Sequence, residues 1–206
     1  MATAAGPHQL QPASTGAFER LAAGCALAAA VAGLGYAVSF VILDSDPASA
    51  LFLLLGGLLA VPVLVALYGR VQATEPALAL CALLIGVAGA LGTVAHGGYD
   101  LANALHPPGS GSDLPNAVDP RGLAAFGLTG VSLAMVAWLI RRGDRLPHAL
   151  GALGYLLAAL LVLLYVGRLV ILDAKSPAVA IPALLVGFVV NPAWYLWLAR
   201  VLRARA

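Results

Sequence analysis

The chain has 206 residues, 62% of them hydrophobic and only 10% charged, with a net charge of +2 and a mean hydropathy of +0.96. A water-soluble domain carries about 25% charged residues, so a soluble globule is excluded. With no basic run outside helix ends there is no electrostatic footprint for nucleic acid either. Two cysteines, Cys25 and Cys81, are too few for a disulfide framework or a four-thiolate metal site.

Residues 1–17 carry Pro, Gln and Ser without a basic leader and read as a disordered cytoplasmic tail. Leu21-Ala22-Ala23-Gly24-Cys25 has the form of a lipoprotein cleavage box, but the residues before it are mostly polar and supply no apolar signal segment. From residue 18 onward a single all-α transmembrane domain is expected. Six stretches reach the roughly 20 apolar residues that a spanning helix needs: about 20–43, 48–69, 77–99, 122–140, 148–172 and 178–199. Polar breaks separate them at 44–47, 69–76, 106–121, 141–147 and 173–177.

Lys and Arg are retained on the cytoplasmic side of spans. With both termini inside, the inner segments hold Arg20, Arg70, Arg141, Arg142, Arg145, Arg200, Arg203 and Arg205, and the outer ones only Arg121 and Lys175. The expected protein is therefore polytopic, N-in and C-in. Trp194, Tyr195 and Trp197 beside the last arginines fit the headgroup level. Ten of the eleven basic residues are Arg, and Ala and Leu dominate the apolar set. That bias suits a GC-rich bacterial genome, hence an inner (plasma) membrane.

The chain also repeats itself. Tyr36 and Val41-Ile42-Leu43-Asp44 recur at Tyr165 and Val170-Ile171-Leu172-Asp173. Pro47, Gly57, Pro62 and Arg70 recur at Pro177, Gly187, Pro192 and Arg200. The middle of the chain keeps a fainter trace in Asp119-Pro120 and Gly130. Three helical hairpins are expected, each turning at an outer Asp and Pro and returning to an inner Arg, with the shared Gly at a close helix contact. Pro62 and Pro192 are expected to kink their helices, with Met135 leaving the fourth span straighter.

A threefold hairpin plan resembles mitochondrial carriers in architecture, but their signature of Pro, an acid and a base after each odd helix is absent. Asn191-Pro192-Ala193-Trp194-Tyr195 resembles the last helix of small bacterial multi-pass membrane proteins. That likeness covers little more than one span and implies no activity.

The departures from the repeat are the candidate site. At helical spacing His96, Asp100 and Asn103 share one face, with Tyr99 beside them. Arg168 stands where the first copy has Ser39, and Asn191 where it has Val61. Counting from the inner ends puts His96 and Arg168 at the outer edge of the hydrocarbon, where long side chains reach water. One reading is then helix ends that merely continue into the headgroups. Another is an outward-facing pocket of His96, Tyr99, Asp100 and Asn103 opposite Arg168, rimmed by Asp44 and Asp173 and capped by residues 106–120, which suits an anion, proton or zwitterion.

A metal reading uses His96, Asp100 and His106 with an open position for hydrolysis. No His-Glu-x-x-His motif or repeated Cys pair accompanies it, and haem between spans finds no second histidine at the right face. Asn191 either satisfies a carbonyl freed by Pro192 or contacts a ligand. Ser39 and Ser132 are lone serines suited to backbone bonding. Cys25 and Cys81 fall at similar depth on the inner side.

These residues lead to a lipid-embedded protein that binds a small solute or ion as transporter, sensor or accessory subunit, with no cofactor. The alternatives are a membrane-embedded metal-dependent enzyme, and a ligand-free partner of another membrane protein or of a second copy.

Overall fold

A computed structural model describes residues 15–106, 123–171 and 176–204. Among them there are helices and no strands, and six helices are long and apolar enough to cross a membrane. They are α1 (Thr15–Val41), α2 (Asp46–Val71), α3 (Pro76–Leu105), α4 (123–142), α5 (His148–Val170) and α6 (Pro177–Arg203). Each overlaps an expected span. Two differences stand out: α1 begins at Thr15, so residues 15–17 are helical rather than tail, and α3 runs six residues past the expected end at Tyr99. The capping segment after His106, together with Arg121, Asp173 and Lys175, lies outside the described residues.

Local chemistry sets the breaks. Asp44 adopts a left-handed conformation (φ 47°), which an Asp tolerates. That turn lets the Ser45 N–H donate to the Ser39 carbonyl at 2.9 Å. Proline opens the next helix in its first turn, where its missing N–H costs nothing, and Glu75 caps α3 by accepting from the Leu78 N–H, again with Pro in the first turn. The prolines expected to kink behave differently from one another. Pro62 sits inside a continuous α2. Ahead of Pro192 the helix widens into a π turn, Val186–Val190, and the Asn191 N–H reaches back to the Val186 carbonyl. A proline lacks the N–H for the carbonyl one turn earlier and crowds it, and widening the turn relieves both problems. A second π turn, Leu123–Leu128, opens α4, which therefore starts less regularly than expected.

The helices pack in chain order, α1 on α2, α2 on α3, α3 on α4, α4 on α5 and α5 on α6, and α6 then packs on α1. The six form a closed ring. Three seams of this ring rest on the glycines singled out by the repeat. A Cβ on Gly57 of α2 would lie 2.7 Å from the Ala90 carbonyl of α3. One on Gly130 of α4 would lie 2.9 Å from Val162 of α5, and one on Gly187 of α6 would lie 2.8 Å from Ala37 of α1. Small residues let helices approach closely where lipid removes any hydrophobic drive to associate.

Both ends of the described chain share one end of the ring, because Leu202 is buried with Ala22 and Ala23. At this terminal end the bundle is solid: Leu139, Ile140, Leu150 and Leu198 are fully enclosed. The Arg70 guanidinium clamps the Glu19 carboxylate there through two bonds of 2.7 Å, tying the end of α2 to the start of α1. At the opposite, distal end the six helices stand apart around a cavity.

Candidate functional site

The cavity has a volume of about 710 Å³ and is lined by residues of all six helices. This lies within the roughly 300–1,000 Å³ of small-molecule sites. Its walls toward the middle of the bundle are mainly apolar, from Val63 and Leu67 on α2, Val136 on α4 and Leu157 on α5 to Trp194 on α6. Its charged groups gather toward the distal mouth.

On α3, His96, Asp100 and Asn103 follow one another at spacings of four and three, so one helical face carries all three into the cavity. His96 Nε2 and Asp100 Oδ2 are 3.0 Å apart. Across the lumen α5 contributes Arg168. Tyr36 of α1 lines the same cavity, near enough to feel the charges of both Asp100 and Arg168. Its ring stacks on Phe40 one turn further along, with centroids 5.8 Å apart. Tyr165 of α5 also lines the cavity and packs against Gly127 in the π turn that opens α4.

Asn191 lines the same cavity deeper down. Its Nδ2 would lie 2.5 Å from a Cβ on Gly33, so the amide occupies space that only a glycine on α1 leaves open. The π turn before Pro192 and the glycine opposite it together place this polar group at a helix contact.

Of the residues expected at the site, His96, Asp100, Asn103, Arg168 and Asn191 are thus brought to one cavity. Tyr99 and His106 are not among its lining residues. His106 ends α3 as its exposed cap. Among the described residues no group of three or more His, Cys, Asp or Glu is close enough to hold a metal ion. The proposed trio of His96, Asp100 and His106 is therefore not assembled: ten residues along a continuous helix carry His106 about 15 Å beyond His96. Asp44 is exposed in the turn after α1, and Asp46 takes its place at the rim. Ser132 bonds the Ala82 carbonyl at 2.6 Å, the backbone role expected of a lone serine. Cys25 and Cys81 are free thiols.

Sequence reasoning missed Tyr36, Tyr165 and Thr93 as cavity residues. A signal was present for the tyrosines, since the expected repeat pairs Tyr36 with Tyr165. Comparison with protein-family models, with curated proteins and with solved structures finds no match.

Proposed function

We propose that the protein binds a small solute or ion in its distal cavity, as a transporter, sensor or accessory subunit of a plasma (inner) membrane, with both termini cytoplasmic and the cavity open to the outside. One observation carries this reading: three helices that are remote in sequence bring His96, Asp100, Tyr36 and Arg168 to one mouth of one cavity. Helix ends that merely continued into the headgroups would have no reason to converge. The orientation is supported by the basic residues of the terminal end, Arg20, Arg70, Arg141, Arg142, Arg145, Arg200 and Arg203, against Arg168 at the other end among the described residues.

The ring is in this reading three related hairpins. Gly57, Gly130 and Gly187 hold equivalent seams, each joining the second helix of one hairpin to the first helix of the next, and the last seam closes α6 onto α1.

Thiol accessibility tests both parts. In a background with Cys25→Ala and Cys81→Ala, Leu105→Cys labels with a membrane-impermeant maleimide from outside intact cells, and Asp144→Cys labels only after permeabilisation. The reverse pattern overturns the orientation. Thr93→Cys, inside the cavity, loses reactivity when a bound solute fills it. A label whose rate no solute changes overturns the binding role.

A further inference from the structure

The two chemistries of the cavity are separated along its length. Charged groups crowd the mouth, while the deeper walls around Leu157 and Trp194 are mainly apolar, with Asn191 and Tyr195 as the polar exceptions. From Arg168 to Leu157 the α5 wall alone runs eleven residues, about 16 Å of helix rise. A small polar solute held at the mouth would leave this depth unmatched, and one drawn into it would lose most of its hydration for few new partners besides the Asn191 amide.

The mouth has a preferred charge. Asp100 is engaged by His96 at 3.0 Å. Arg168 forms no ion pair within the described residues. Tyr36 and Asn103 add neutral hydrogen-bond donors. Asp46, also at the rim, lies in the first turn of α2, where the helix dipole favours a negative charge. The arrangement suits a head that accepts several hydrogen bonds and carries negative charge. A zwitterion would have to place its cation at Asp46, which is exposed at the very start of α2, or draw Asp100 away from His96, and a neutral head would leave the guanidinium unmatched.

We infer that the cavity holds an anionic amphiphile, a carboxylate or phosphate head on an apolar chain, with the head at Arg168 and the chain reaching toward Trp194. This rests on the cavity being a ligand site at all. Burial of Trp194 at the inner end supplies a reporter, since it is shielded from surrounding lipid by the ring.

The test uses the full chain with Trp138→Phe and Trp197→Phe, which leaves Trp194 as the sole tryptophan, reconstituted in phosphatidylcholine nanodiscs. A long-chain fatty acid brominated near its methyl end quenches Trp194 fluorescence, and the same acid brominated beside the carboxylate does not. Arg168→Gln raises the half-quenching mole fraction about tenfold, as expected for loss of a charge-assisted bond, and so does the methyl ester on the unsubstituted arginine. Competition by an unbrominated alkyl phosphate or alkyl carboxylate tells which head is preferred.

Equal quenching by acid and ester, equal quenching by the two bromine positions, or indifference to Arg168→Gln overturns the inference. If small polar anions protect Thr93→Cys while no chain quenches Trp194, the amphiphile falls and the solute pocket stands. If neither effect is seen, both fall.

Discussion

The two halves of the same ring solve opposite problems. At the terminal end the six helices touch, their interior filled by leucines and by alanines on α1, and a partly buried charge, Arg70, meets its counter-charge at once. At the distal end the same helices enclose open space, and a charge of the same kind, Arg168, faces the lumen. Since lipid is as apolar as leucine, the solid half is held by close packing and paired polar groups rather than by expulsion of water. The hollow half must then be held open by its walls, and its polar groups are tolerable because the lumen, not hydrocarbon, receives them.

The largest way to break this contrast is through a wall. A Cβ on Gly97 of α3 would lie 2.5 Å from the Leu54 nitrogen of α2, backbone against side chain with nothing to yield. Gly97→Leu forces the hairpin apart and destabilises the protein by about 3 kcal/mol, read by loss of helicity on titration with a denaturing detergent. The filling of the two halves gives the next test. Leu198→Ala, in the solid half and fully enclosed, costs about 2 kcal/mol. Ala60→Leu, on the cavity wall, changes stability by less than about 0.5 kcal/mol. Equal penalties at the two positions would mean that the distal half is as tightly filled as the other.

Removing the paired charge sharpens the contrast further. Glu19→Gln leaves the Arg70 guanidinium without its carboxylate and lowers stability by about 1.5 kcal/mol. The neutral double variant Glu19→Gln with Arg70→Met recovers part of that loss. The smallest effect is at Ser132, whose bond to the Ala82 carbonyl links α4 to α3. Ser132→Ala costs about 0.6 kcal/mol, the usual worth of such a bond between membrane helices.

How much of this was legible differs by element. The helices were legible because spanning length and hydropathy are properties of a contiguous stretch, so α2 and α5 fall within two residues of expectation. The face of α3 was legible as well, since polar residues at spacings of four and three on an apolar helix mark one side of it. The ring was not. Nothing in hydropathy says that α6 docks on α1: the recurrence of Gly187 marks a close helix contact but does not say that its partner is Ala37, far away in sequence.

The same lack of long-range information hid the clamp between Glu19 and Arg70, 51 residues apart. Arg70 had a sufficient explanation as a marker of membrane side, and its partner was not sought. Tyr36 was legible as a recurring position but not as a cavity residue, because a tyrosine in a span is ordinary until its neighbours are known. His106 was overvalued for the converse reason: its type suggested a ligand, while a helix continuing past Tyr99 carried it away from His96.

Closure by the first and last helices gives the protein a definite order of completion during its synthesis. A nascent chain that has inserted only α1 to α5 is an open crescent, and the faces bearing Tyr36, His96, Asp100 and Arg168 look sideways into the bilayer. Arrival of α6, with Gly187 against Ala37 and Asn191 against Gly33, turns that exposed concave face into an interior. The final helix is thus a keystone: a chain halted before residue 177 exposes its charged residues to lipid, the condition by which a membrane's folding and degradation machinery can tell an unfinished protein from a finished one.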